Sequence, residues 1–157
     1  MTGYRKTGTG AEKLQLRAWL RLLACSKMIE GDIRSRLRSE FSTTLPRFDV
    51  LAQLDAAGGT LSMGEISERL MVTNGNVTTL IDAMEKDHLV ARKPHPEDRR
   101  STLIALTRGG RKLFDTMVPV HQQWIAEAMQ GLTRTDLQIL TSLLEKLKAS
   151  VRSADIA

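Results

Sequence analysis

The chain has a single cysteine, Cys25, among 157 residues. No internal disulfide can form, which excludes a small scaffold held together by disulfides. No run of about 18 apolar residues occurs, so no membrane-spanning helix is expected. The opening Met1-Thr2-Gly3-Tyr4-Arg5-Lys6 lacks the apolar segment of a secretory leader, and cytoplasm is the expected compartment. His88, His95 and His121 are scattered, with no His-x-x-x-His or Cys-x-x-Cys spacing, so neither zinc nor another cofactor is expected. Gly-rich phosphate loops, nucleophile elbows and paired carboxylates are missing too. No residue is nominated as catalytic, and an enzyme is the distant alternative. Aromatic residues make up only 4% of the chain. Acidic residues are outnumbered, and the net charge is +5. Between Lys86 and Lys112 eight basic residues face three acidic ones, an excess equal to that of the whole chain. A basic patch of this kind is the electrostatic footprint of a nucleic-acid binder if it adjoins a groove-reading motif; alone it is a solvated surface.

The stretch from Thr60 to Thr107 supplies such a motif. Ser62-Met63-Gly64-Glu65 reads as a capping box that opens a short helix with Ile66 and Leu70 on its apolar face. Thr73 is the expected N-cap of a second helix, in which Val77, Leu80, Ile81 and Met84 recur at i, i+3, i+4 and i+7. The opposite face carries Gly75, Thr78, Thr79 and Asp82, with Asn74 and Asn76 near the start. A helix lying in the major groove needs a face that is small and polar. Asn amides pair with adenine edges, and Thr methyls touch thymine methyls. A solvated face on an ordinary amphipathic helix would look the same in isolation.

The next residues separate the two readings. Leu89–Lys93 and Ser101–Thr107 are strand-like, and Pro94-His95-Pro96-Glu97-Asp98-Arg99-Arg100 between them is a stiff basic loop whose prolines cannot continue a ladder. A hairpin with an Arg-tipped extension directly after a helix–turn–helix is a winged helix–turn–helix. Asp98-x-Arg100 followed by Leu106-Thr107 resembles the D-x-R-x5-L-T wing signature of MarR-type transcription regulators. The order of elements fits from about residue 11 to residue 152.

The remaining segments are read from their own patterns. Residues 1–10, rich in Gly, Thr and Lys, are expected to be a disordered tail. Residues 11–41 form one long helix with two adjoining stripes, Leu16, Leu20 and Leu23 beside Leu22, Cys25, Ile29, Ile33 and Leu37, as if it met two neighbours. Pro46 opens a helix packing through Phe48, Leu51, Ala52 and Leu54, which Gly58-Gly59 ends. Thr107 caps a further helix, despite Gly109-Gly110 in its first turn, and Pro119 is expected to kink or break it. Thr133-x-x-Asp136 opens the last helix, whose Leu137, Leu140, Leu144, Leu147 and Val151 form a helix-packing seam. The expected fold is mainly α with a small β-hairpin. A winged helix–turn–helix over 46–107 is flanked by helical dimerisation regions, 11–45 and 108–157.

The resemblance implies an obligate homodimer on double-stranded DNA, reading a palindromic operator with half-sites about one turn apart. It implies that the Asn74–Asp82 helix enters the major groove, that Arg100 probes the minor groove, and that Asp98 holds its guanidinium. Arg99 and Lys93 would meet phosphates. Thr78 matches a threonine common in the family, whereas Asn74, Thr79 and Ala83 stand where arginine is frequent. The family also binds small aromatic acids in a crevice, commonly weakening DNA affinity. Trp19, Phe48 and Trp124 are the candidate walls, and Arg47 and His121 the candidate polar partners; the plainer reading makes the three aromatics core and the two polar residues simply exposed. The Val72–Thr78 string is similar to a subgroup controlling aromatic-acid catabolism, some members of which respond to an aryl-CoA thioester. Arg34, Arg36 and Arg38 would then meet CoA phosphates. Cys25 reads as a buried apolar residue rather than a redox sensor. An effector-free nucleoid-like protein would show a steep salt slope without sequence preference, and a protein-interaction module would show no DNA binding at all.

Overall fold

Helices begin where side chains can satisfy their first amides. The computed structural model describes residues 8–71 and 73–154, leaving most of the expected tail outside the described residues. Thr9 belongs to the first helix, closing a capping box with Glu12, so α1 runs Gly10–Phe41. Helix α2 is Leu45–Ala56, with proline in its first turn and Gly58 and Gly59 at φ +82° and +104° where it stops. Then come β1 (Thr60–Ser62), α3 (Met63–Leu70), α4 (Asn74–Lys86), β2 (Val90–Pro94), β3 (Thr102–Leu106), α5 (Arg108–Ala128) and α6 (Arg134–Ala154).

The expected hairpin is the larger part of a three-stranded antiparallel sheet ordered β1-β3-β2. Strand β1 is an addition to the sequence reading. It pairs Thr60 with Ala105 and Leu61 with Ile104, a contact too short and too distant in sequence to leave a period-two signal. Pro94 closes the β2 ladder opposite Thr102, at the edge of the sheet where a missing N–H is tolerated.

The chain falls into two compact bodies, one ending at His121 and one starting at Gln122. In the first, Leu37, Val50, Leu51, Leu54, Ile66, Ile81, Met84 and Ile104 are fully buried. These side chains come from α1, α2, α3, α4 and β3, so the helix–turn–helix and the sheet share one core. Burial of each contributes about 1.5–3 kcal/mol relative to exposure. On α1 only Ile33 and Leu37 are buried, while Leu20 and Cys25 are exposed. In the second body, no described residue of α6 is buried. Its start matches the expected pattern: Thr133 donates to Asp136 Oδ2 from its N–H at 2.9 Å and its hydroxyl at 2.6 Å. Pro119 lies inside α5 without ending it, since one lost amide bond leaves the rest of the helix intact.

Candidate nucleic-acid interface

Local hydrogen bonds set both ends of the helix–turn–helix. Ser62 donates its N–H to Glu65 Oε2 at 2.7 Å, and its hydroxyl accepts from Glu65 N at 3.2 Å. Hydrogen bonds from the Ser62 backbone N–H and then from its hydroxyl hold the Glu65 carboxyl below the usual carboxylate range. Helix α3 ends at Met71, whose φ of +53° is the left-handed turn that redirects the chain. Thr73 caps α4 by accepting from Asn76 N at 3.4 Å. Val77, Ile81 and Met84 then face the core, Leu80 is half-buried, and Gly75, Asn76, Thr78, Thr79 and Asp82 face outward. Thr79 returns its hydroxyl to Gly75 O at 3.2 Å. Asn74 is the first residue of α4; its side chain lies outside what is described.

The wing is shaped by its backbone. His95 Nδ1 accepts from the N–H groups of Glu97 at 3.2 Å and Asp98 at 3.1 Å. Asp98 Oδ1 accepts from Arg100 N at 2.9 Å, and its carbonyl accepts from Ser101 N at 3.1 Å. The Asp98 carboxylate thus folds the loop through the Arg100 main chain. The guanidinium pairing that the resemblance implied is not among the contacts of the described residues. Lys93, Arg99 and Arg100 are all exposed.

Ion pairs divide the basic segment. Arg92 on β2 donates to Asp82 Oδ1 at 2.5 Å and to Glu85, and Arg111 pairs with Asp55. Lys86, Lys93, Arg99, Arg100, Arg108 and Lys112 remain exposed. By sequence alone Arg92 belongs with the surface charge and His95 is one of three scattered histidines. Only the His95 role had a local signal, an acceptor placed two and three residues before the amides it satisfies.

The five ligand candidates have separate fates. Phe48 is 6% exposed and sits in the core, 5.7 Å from the Phe114 ring and 4.6 Å from that of His121. Burial lowers the pKa of His121. Arg47 donates to Asp87 Oδ2 at 2.6 Å, tying α2 to the end of α4. Trp19 is 54% exposed, and Trp124, in the second body, is buried. None of the five lines the cleft of about 290 Å³ that opens between the end of α1, the start of α2 and α4. Arg34, Arg38, Thr43, Thr44, Leu45, Pro46 and Leu80 line it. No cluster of metal-ligating side chains occurs among the described residues, and no described helix is long and apolar enough to cross a membrane.

The MarR family model matches residues 43–102, from the start of α2 through the wing. The HTH-type transcriptional regulator YkoM of Bacillus subtilis is 33% identical over 123 residues, covering 78% of each chain. The transcriptional activatory protein BadR of Rhodopseudomonas palustris is 31% identical over 144 residues, covering 87% of this chain and 81% of that one. A cysteine-to-serine variant of MarR from E. coli, complexed with operator DNA, superposes with a TM-score of 0.75 at 25% identity, over 90% of this chain and 99% of that one. Sequence and fold agree along most of the chain: it belongs to the MarR family of winged-helix, DNA-binding transcriptional regulators, which are not enzymes.

Proposed function

We propose that the protein acts in the cytoplasm as a homodimeric repressor of a palindromic operator, released by a small aromatic acid or its CoA thioester. Residues 46–107 contact the duplex; 11–45 and 108–157 join the protomers. In the major groove Asn74, Asn76, Thr78 and Thr79 meet base edges. Arg100 enters the minor groove, Asp98 folds the loop that presents it, and Lys93 and Arg99 meet phosphates. One observation carries this reading: with Arg92 and Arg111 paired, the wing cations Lys93, Arg99 and Arg100 remain exposed in the same motif as the polar face of α4.

The dimer is supported by apolar side chains left in water. Leu140, Leu143, Leu144, Leu147 and Val151 of α6 are 37–55% exposed, and Leu14, Trp19 and Leu20 of α1 are 47–62% exposed. Apolar stripes of this extent mark a protein-binding face. Repression follows from steric cover, since a dimer spanning two half-sites occupies about two turns of duplex. BadR is named an activatory protein, so in vitro transcription from the bound promoter decides the sign.

For the effector, the supporting feature is the cleft at the end of α1. Two arginines flank an apolar floor of Leu45, Pro46 and Leu80, suited to an acid on an apolar body, and Leu80 belongs to α4. A ligand there touches the helix that reads DNA. Calorimetry with p-hydroxycinnamate and its CoA ester, on the parent and on Arg38→Ala, tests this. Binding that the variant weakens, with loss of operator affinity, supports it. No heat from either compound refutes it.

A further inference from the structure

We propose that Arg92 is a positioning residue for DNA binding, fastening the recognition helix to the wing and masking two carboxylates on that helix. The inference rests on α4 and the wing being the DNA-facing surface. Asp82 lies one helical turn beyond Thr78 and Thr79 on the outward face of α4, with its side chain 61% exposed, and Glu85 follows at 40%. Carboxylates in that position repel phosphates. Arg92 comes to them from β2. One guanidinium nitrogen donates to Asp82 Oδ1 at 2.5 Å, the other to Glu85 Oε2, and the Arg92 main-chain N–H donates to Glu85 Oε1 at 3.2 Å. Strand alternation directs Lys93 to the opposite face, where it is exposed. Adjacent cations therefore have opposite duties: Lys93 is available to phosphates, and Arg92 is held against the protein.

Only a planar, two-pronged donor spans both carboxylates. Lysine, a single point charge, reaches one at a time. An ion pair this exposed adds little to folding stability. It does set the angle between two elements that must enter neighbouring grooves together, so its loss is expected in affinity rather than in melting.

The test uses the full chain and a duplex selected by the parent protein from a random pool. Affinity is measured by fluorescence anisotropy at roughly 50 to 300 mM salt, where the slope counts phosphate contacts. Arg92→Lys and Arg92→Met are expected to lose about tenfold or more in affinity, with parental salt slopes and melting temperatures. Lys93→Ala is expected to make the slope shallower by about 0.9 for each protomer bound. Asp82→Asn, which keeps an acceptor oxygen for Arg92 but no charge, is expected to weaken binding in the parent less than Arg92→Lys does, and to strengthen it several-fold in Arg92→Met, the non-additivity of a coupled pair. Parental affinity in Arg92→Lys, with a shallower slope in Arg92→Met, would make Arg92 an ordinary phosphate contact and overturn the proposal. An additive cycle overturns it as well. Arg92→Lys keeps charge and stem, so the comparison survives if Arg92→Met does not fold. If Lys93→Ala, Arg99→Ala and Arg100→Ala all bind with the parental affinity and slope, the surface assignment itself fails and this proposal with it.

Discussion

Replacing Gly110 with alanine tests how tightly α5 is seated on the wing. Gly110 lies in the first turn of α5, where helical geometry accepts alanine readily, so any cost must be steric. A Cβ at this position would stand 2.0 Å from Leu89 O, 3.0 Å from Leu89 C and 2.9 Å from Leu106 Cδ1. The Leu106 methyl can rotate away, but the Leu89 carbonyl cannot. It accepts from Thr107 N at 3.2 Å and from the Thr107 hydroxyl at 2.9 Å, while that hydroxyl accepts from Gly110 N at 2.9 Å. Relief requires α5 to recede by more than an ångström, weakening this set of bonds. Overpacking costs about 1–3 kcal/mol, and each strained hydrogen bond adds about 0.5–1.5 kcal/mol. Alanine's better helix propensity returns about 1 kcal/mol. The net is a loss of about 3 kcal/mol, or about 6–12 °C in melting temperature for a protein of this size. Circular-dichroism melts at one fixed protomer concentration measure it, because association shifts the midpoint. Gly31→Ala is the control. It lies in α1 with no atom beyond the adjoining helix backbone within 4 Å of an added Cβ, and alanine there should stabilise by about 0.5–1 kcal/mol. A Gly110→Ala protein melting at or above the parent would refute the close-approach reasoning.

Arg100→Ala should abolish tight operator binding with an unchanged melting temperature; unchanged affinity in a gel shift would remove Arg100 from the interface. Asn76→Ala should relax specificity at one base per half-site by about 1–3 kcal/mol, and a uniform loss across sequences would mark a phosphate contact instead. Thr73→Ala removes the hydroxyl that caps α4 and should cost about 1 kcal/mol, read as faster amide exchange in the first turn of α4. Burial lowers the pKa of His121 in the folded state below its ordinary 6.5, so the unfolded chain binds the proton first. The stability this contributes is complete above pH 6.5 and is lost as pH falls below it. A His121→Phe variant should show a shallower decline over that range, and an identical pH curve would contradict the assignment.

Elements whose signals span a single turn or the length of one element are legible in the order of residues. Ser62 with Glu65, Thr73 with Asn76 and Thr133 with Asp136 are contacts three residues apart, so the residues that make them stand together in the chain. The stripe of Val77, Ile81 and Met84 and the two wing strands follow from periodicity in the same way. Features that depend on partners far along the chain leave no such local trace and are seen in the folded protein. Strand β1 exists because β3 lies beside it, and Gly110 is needed because the Leu89 carbonyl passes close. Arg92 is held inward by Asp82 and Glu85, while Lys93 beside it is exposed. Phe48 is core and Trp19 is surface, although both looked alike as scarce aromatics on amphipathic helices. Composition states how much charge and apolar surface a chain carries. Which of it faces water is set by long-range packing, and that packing chooses which residues remain free to meet DNA.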